Sequence, residues 1–99
     1  MGAIEIQITQ DIKNYIDRGG GYYSGWYVGI AADPRSRLFN DHAVQEQGDS
    51  WIFRTATTSE GARAVEQYLL GLGIDGGPGG GDDSSRAVYA YKKSYHTSP

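Results

Sequence analysis

The chain has no cysteine among its 99 residues, which excludes disulfides and thiolate metal sites alike. It also lacks an excess of positive charge, with a formal net charge of −3. Domains that hold nucleic acid through its backbone are usually basic, because neutralising phosphates supplies most of the affinity. Any such contact here needs a local basic patch within an acidic whole. Long apolar runs are missing too. None approaches membrane-spanning length, and no charged segment followed by a long apolar stretch opens the sequence. A soluble, cytoplasmic protein without a membrane partner is therefore expected.

What the chain has instead is glycine, at 15 residues, and tyrosine, at eight. Glycine fills loops without adding core, which accounts for much of the low hydrophobic share of 38%. The length suits one domain with a modest, aromatic-rich core. No internal repeat is present.

Hydrophobic periodicity gives the elements. Ile4, Ile8, Ile12 and Ile16 recur every four residues, as on a helix face. Ile4, Ile6 and Ile8 also fit a strand, so the helix is placed from about residue 9 to 18, with Thr9 as its N-cap. Gly19 to Gly21 end it. Residues 26–31 read as a strand. Asp33 can cap a following helix and Pro34 suits its first position, which gives a short helix over about 34–42. "WIFRTA", residues 51–56, is a second strand. Thr57 and Glu60 have capping-box spacing before a helix over about 59–72, with Ala62, Val65, Tyr68, Leu69 and Leu72 on one face. "AVYAYKK" supplies a third strand over about 87–92, and residues 94–99 are expected to fray. The fold class is α+β: a small, mainly antiparallel three-stranded sheet flanked by helices.

Between the last helix and strand lies "GIDGGPGGGDD". Successive glycine amides can form an anion-binding nest, and close backbone packing is the other reading. The loop has no Walker lysine and does not pass from a strand into a helix, so it is no phosphate loop.

The stretch "YVGIAADPRSRL" carries the chemistry. Tyr27, Val28 and Gly29, then Asp33, then Arg37 and Leu38 resemble the second half of the GIY-YIG nuclease signature, in which a tyrosine-x-glycine strand precedes a helix bearing an arginine. "TTSEGARAVEQYLL" resembles the later family helix that carries a metal-binding glutamate, here Glu66. The resemblance covers about residues 26–72. It implies a divalent-metal-dependent nuclease acting on nucleic acid. Arg37 would neutralise the phosphoryl group, Glu66 would hold Mg²⁺ or Mn²⁺, and Tyr27 would orient or deprotonate water. Gly29 and Arg35 would contact substrate. The family's other tyrosine strand has no room in "GGGYYSG". The C-terminal strand can take its place in a permuted arrangement, with Tyr89 joining the catalytic group and Tyr91 the substrate contacts, because the two share one strand face.

Each residue also has a plainer reading. Arg37 could be a solvated surface group. Glu66 could pair with Arg63 on its own helix. Tyr27 could simply pack its ring. His42 is either a proton shuttle or a surface histidine. The alternative function is a catalytically inactive relative that binds a nucleotide, a nucleic acid or a protein partner. The exposed aromatics of "YYSGW" are the one hint of a purely structural role. A small domain with an uncovered sheet could also form homo-oligomers.

Overall fold

In the computed structural model, which describes residues 1–77 and 82–99, helix α1 spans Ala3–Gly19 and strand β1 spans Trp26–Ala31. A single turn α2 (Pro34–Ser36) continues into a π-turn over Arg37–Asp41. Strand β2 (Trp51–Thr55), helix α3 (Ser59–Gly71) and strand β3 (Ala87–Lys92) follow. The sheet has the order β1-β3-β2 and both pairings are antiparallel. The expected α+β class and its three strands are present. Most of the glycine nest lies outside the described residues.

The register sorts the side chains onto two faces, because alternate strand residues point to opposite sides. Tyr27 lies opposite Tyr91, Gly29 opposite Tyr89, and Phe53 of β2 opposite Tyr89 from the other side. These residues share one face, which Leu38 and Val44 of the connection between β1 and β2 help to cover. Trp26, Val28, Ile30, Ile52, Val88 and Ala90 form the other face. It packs against Ile8, Ile12 and Ile16 of α1 and Ala62, Val65 and Leu69 of α3. Burying those aliphatic side chains is the main stabilising contribution, at about 1.5–3 kcal/mol for each large one.

Several local expectations are corrected. Helix α1 begins at Ala3, a turn and a half before residue 9, and the strand reading of Ile4 to Ile8 fails. Glu5 accepts a hydrogen bond from the Gly2 amide at 2.9 Å, so the helix is anchored earlier. Thr9 sits inside it, its hydroxyl donating back to the Glu5 carbonyl at 2.8 Å. Ile4 and Ile6 stay exposed, since the face that packs is set by residues 8, 12 and 16. Helix α3 is capped by Thr58 rather than Thr57: the Thr58 hydroxyl accepts from the Gly61 amide at 3.0 Å. Tyr68 turns away from the core and is 48% exposed.

The tail does not fray. The Ser98 amide donates to the His42 carbonyl at 2.8 Å, and His96 Nε2 lies 2.6 Å from Asp49 Oδ2. The β1 edge is covered by the segment at Asp75, whose carbonyl accepts from the Val28 amide at 2.8 Å. No helix among the described residues is long and apolar enough to cross a membrane.

The expected helix over 34–42 divides. After one α-turn, the His42 amide bonds to the Arg37 carbonyl at 2.9 Å, a five-residue step. Such wide turns are uncommon and concentrate at functional sites. The chain then reverses through Ala43, whose φ of +59° is left-handed. An alanine in that region costs roughly 1–2 kcal/mol relative to right-handed backbone. Ala43→Gly should therefore stabilise the fold by about 1 kcal/mol, since the relief outweighs the extra chain entropy. A thermal melt of the two proteins checks this; a lower Tm in the variant would contradict the strain.

Candidate functional site

The site is built where the tyrosine face meets the turn after β1. Alternation along β3 puts Tyr89 and Tyr91 on that face, and Tyr27 joins them from β1. Tyr27 and Tyr91 stack with ring centroids 5.3 Å apart. The π-turn delivers His42 between the three rings, 4.8 Å from Tyr27, 5.5 Å from Tyr89 and 5.0 Å from Tyr91. The surface reading of His42 is thereby overturned: it is only 5% exposed.

Hydrogen bonds assign the tautomer of His42. Its Nδ1 lies 2.7 Å from the Ser98 carbonyl, which can only accept, so Nδ1 carries the proton. The Tyr91 hydroxyl shares that proton at 3.2 Å. Nε2 is then the free acceptor, and the Tyr89 hydroxyl donates to it at 2.8 Å. Burial pushes the Tyr89 phenol up to about 12, against the opposing influence of Arg37 and with smaller contributions from Tyr27 and Glu66 in the same direction. Tyr91 is raised as well, first by burial and then by its tyrosine neighbours and Asp75. Both phenols are therefore protonated at ordinary pH. The Tyr27 hydroxyl accepts from the Gly77 amide at 3.0 Å.

Gly29 lies directly under the Tyr89 ring. A methyl group there would fall within 2.5 Å of Tyr89 Cζ, so the ring can cross β1 only over a glycine. Neither Gly29 nor Tyr91 is open to a substrate, since both are buried. Their part is to place Tyr89 and His42. Arg35 stands apart, exposed on α2, paired with Glu46 and held over the Phe39 and Trp51 rings.

Arg37 and Glu66 both bear on the Tyr89 hydroxyl, Arg37 lowering its pKa and Glu66 raising it slightly. Tyr89 in turn raises the Arg37 pKa, with Asp41 and Tyr27 adding to it. Arg37 Nε lies 3.5 Å from Asp41 Oδ2 without a hydrogen bond. Glu66 is 5% exposed on α3, and burial raises its carboxyl above the usual range, with Arg63 opposing. The two residues form no salt bridge, which removes the surface-pair reading of Glu66. Among the described residues, the only buried side-chain polar atoms without a hydrogen-bond partner are Arg37 Nε and Glu66 Oε2. Unpaired buried polar atoms are rare and call for a reason. A shallow pocket of about 290 Å³ opens beside Arg37, lined also by Asp33, Ser36, Asp82 and Ser85.

The donor set can be tested against a divalent cation. No group of three or more His, Asp or Glu residues converges among the described residues. A caged, dehydrated ion does not fit. One buried carboxylate with an unpaired oxygen suits Mg²⁺ or Mn²⁺ that keeps most of its water, as Mg²⁺ does when phosphate completes its shell.

Two partners had no signal in the sequence: the Ser98 carbonyl and the Gly77 amide are backbone groups brought in by distant segments. No family model, no curated protein and no solved structure matches the chain.

Two outcomes test this geometry. Gly29→Ala should displace the Tyr89 ring and cost about 1–3 kcal/mol. Combined with Tyr89→Leu its cost should shrink, and strict additivity in the double-mutant cycle would contradict the contact. For Glu66, the folded state holds the proton more tightly than the unfolded chain. That contribution is complete below the unfolded pKa and is lost as pH rises through the folded value. In chelator, Glu66→Gln should therefore melt above the wild type at neutral pH. The gap should close near about pH 4; a gap that widens in acid would refute the buried charge.

Proposed function

We propose that the chain is a GIY-YIG-like, divalent-metal-dependent nuclease that hydrolyses phosphodiester bonds of nucleic acid in the cytoplasm. One observation carries the reading: among the described residues, the two buried side-chain polar atoms without a hydrogen bond are Glu66 Oε2 and Arg37 Nε, the latter with only the Asp41 ion pair at 3.5 Å, and these are the residues to which the sequence resemblance assigns metal and phosphate. A phosphoryl oxygen would give Arg37 Nε its missing acceptor. Glu66 Oε2 would hold Mg²⁺ or Mn²⁺. When bound, such an ion stabilises negative charge on the phosphate and on the departing oxygen.

The remaining residues supply proton transfer and order. A water in line with the scissile bond gives its proton to the Tyr89 oxygen as Tyr89 passes its own proton to His42 Nε2. The water oxygen then bonds to phosphorus, the opposite phosphorus–oxygen bond breaks, and solvent protonates the released oxygen. The phenol is too weak an acid to ionise by itself near neutrality, so His42 is the acceptor that makes the relay work. Tyr27, its oxygen already accepting from the Gly77 amide, orients the water with its remaining hydrogen-bonding capacity. Arg37 counters charge as it develops on the phosphoryl group.

A second reading has its own observation. Tyr89 is 1% exposed, so water reaches its oxygen only if the cluster opens. A catalytically inactive module of the same shape, binding a nucleotide, a nucleic acid or a protein through the pocket at Arg37, needs no such opening.

The test is cleavage of single- and double-stranded DNA and RNA with Mg²⁺ and Mn²⁺. Wild type should cut, and Arg37→Ala, Glu66→Ala and Tyr89→Phe should each lose about 10²–10³ in rate. Cleavage that survives both Arg37→Ala and Glu66→Ala would discard the site. Absence of cleavage, with nucleotides still raising the wild-type Tm, would select the binding module.

A further inference from the structure

Three concavities share their walls, the third reaching round the β2 strand to Tyr15 and Arg54. The pocket at Arg37 shares Ala32 and Asp33 with a second, of about 380 Å³, that contains Arg86 and Thr55. The second shares Arg35 and Phe53 with a third, of about 480 Å³, that contains Trp51 and Arg54. Through these shared residues they adjoin as a trough from Arg37 to β2.

Its lining differs from the chain as a whole. The protein carries a net charge of −3, yet four of its six arginines, at 37, 86, 35 and 54, stand along this trough. Arg86 is exposed and forms no ion pair among the described residues. The other three meet Asp41, Glu46 and Asp11 in exposed pairs. Pairs of that kind contribute little and exchange readily for another anion. Between the arginines lies an aromatic platform. Trp51 and Phe53, two apart on β2, have ring planes within 12° and centroids 6.2 Å apart. Phe39 stands edge-on to Trp51 at 5.0 Å. The Arg35 guanidinium lies 5.1 Å from the Phe39 centroid and 5.8 Å from that of Trp51.

We infer that this trough binds an unpaired nucleic-acid strand, with bases stacked at Trp51 and Phe53 and phosphates led past Arg35 and Arg86 towards Arg37. Alternating cations and flat rings are the chemistry that holds single strands without reading their sequence. An acidic domain whose arginines are mostly paired cannot hold a duplex by charge alone. Base stacking makes up the difference, and it requires bases free of a complementary strand. Placing the scissile phosphate at the Arg37 end rests on the nuclease reading; strand binding in the trough does not.

The experiment is fluorescence anisotropy in chelator, so that nothing is cut, with a labelled oligonucleotide of about 10 nucleotides. DNA and RNA of one sequence, their duplexes and an acidic peptide form the arms. Both single strands should bind more tightly than their duplexes and the peptide; a marked advantage of one strand would identify the natural substrate as DNA or RNA. Trp51→Ala should weaken the strand complex about tenfold. Because the Trp51 indole also donates to the Glu46 carbonyl at 2.9 Å, Arg86→Gln provides a second variant, at an exposed side chain with no hydrogen bond or ion pair among the described residues. It should reduce the salt dependence of log K by about 0.7. Equal affinity for duplex or peptide, or unchanged affinity and salt slope in both variants, would overturn the proposal. Strand binding without cleavage would sink the catalytic reading and keep the trough. Cleavage of bis(nitrophenyl) phosphate without strand binding would do the reverse.

Discussion

Everything at the candidate site depends on the register in which β3 pairs with β1. That register sets Tyr91 against Tyr27 and Tyr89 against Gly29. A slip of one residue would send both β3 tyrosines to the face of α1 and α3 and put Val88 and Ala90 under the π-turn. Gly29 reinforces the choice, since the Tyr89 ring can lie across β1 only where no Cβ intervenes. The aliphatic face demands the same register, because Val88 and Ala90 complete the core that α1 and α3 bury. Core packing and site assembly are thus decided by one alignment.

On that frame His42 links segments that are far apart in sequence. Its ring meets the Tyr89 and Tyr91 hydroxyls and the Ser98 carbonyl, which ties the turn after β1 to β3 and to the tail. In a site shielded from water these bonds polarise one another and fix one tautomer. The same shielding raises both phenols, so both stay protonated beside Arg37 and Glu66. Those two residues hold the buried side-chain polar atoms that lack a hydrogen bond among the described residues. Buried polar groups without a hydrogen bond are rare in folded chains, and here they stand beside a closely bonded centre.

Much of this was legible because it is local. Period-four isoleucines, the Asp33-Pro34 junction and the β-rich segments each fix an element through neighbours a few residues away. Alternation alone put Tyr89 and Tyr91 on one face. The errors were local conflicts that tertiary contacts resolved. Thr9 is a good N-cap by type, but the helix passes through it because the Glu5 carboxylate reaches the Gly2 amide. Residues 94–99 look featureless, yet a histidine more than fifty positions earlier holds them. His42 reads most simply as a surface group, because nothing in its immediate sequence reveals what the π-turn turns it towards.

The sequence by itself determined which segments are helix and strand, and which residues carry charge or a hydroxyl suited to phosphate chemistry. Propensity, capping and periodicity are short-range, so they can be read one segment at a time. Only the tertiary structure decided that the last strand lies between the first two, that three tyrosines close around His42, and that Arg37 and Glu66 both bear on one phenol. Those outcomes depend on which faces can be buried together, a question about the whole chain at once.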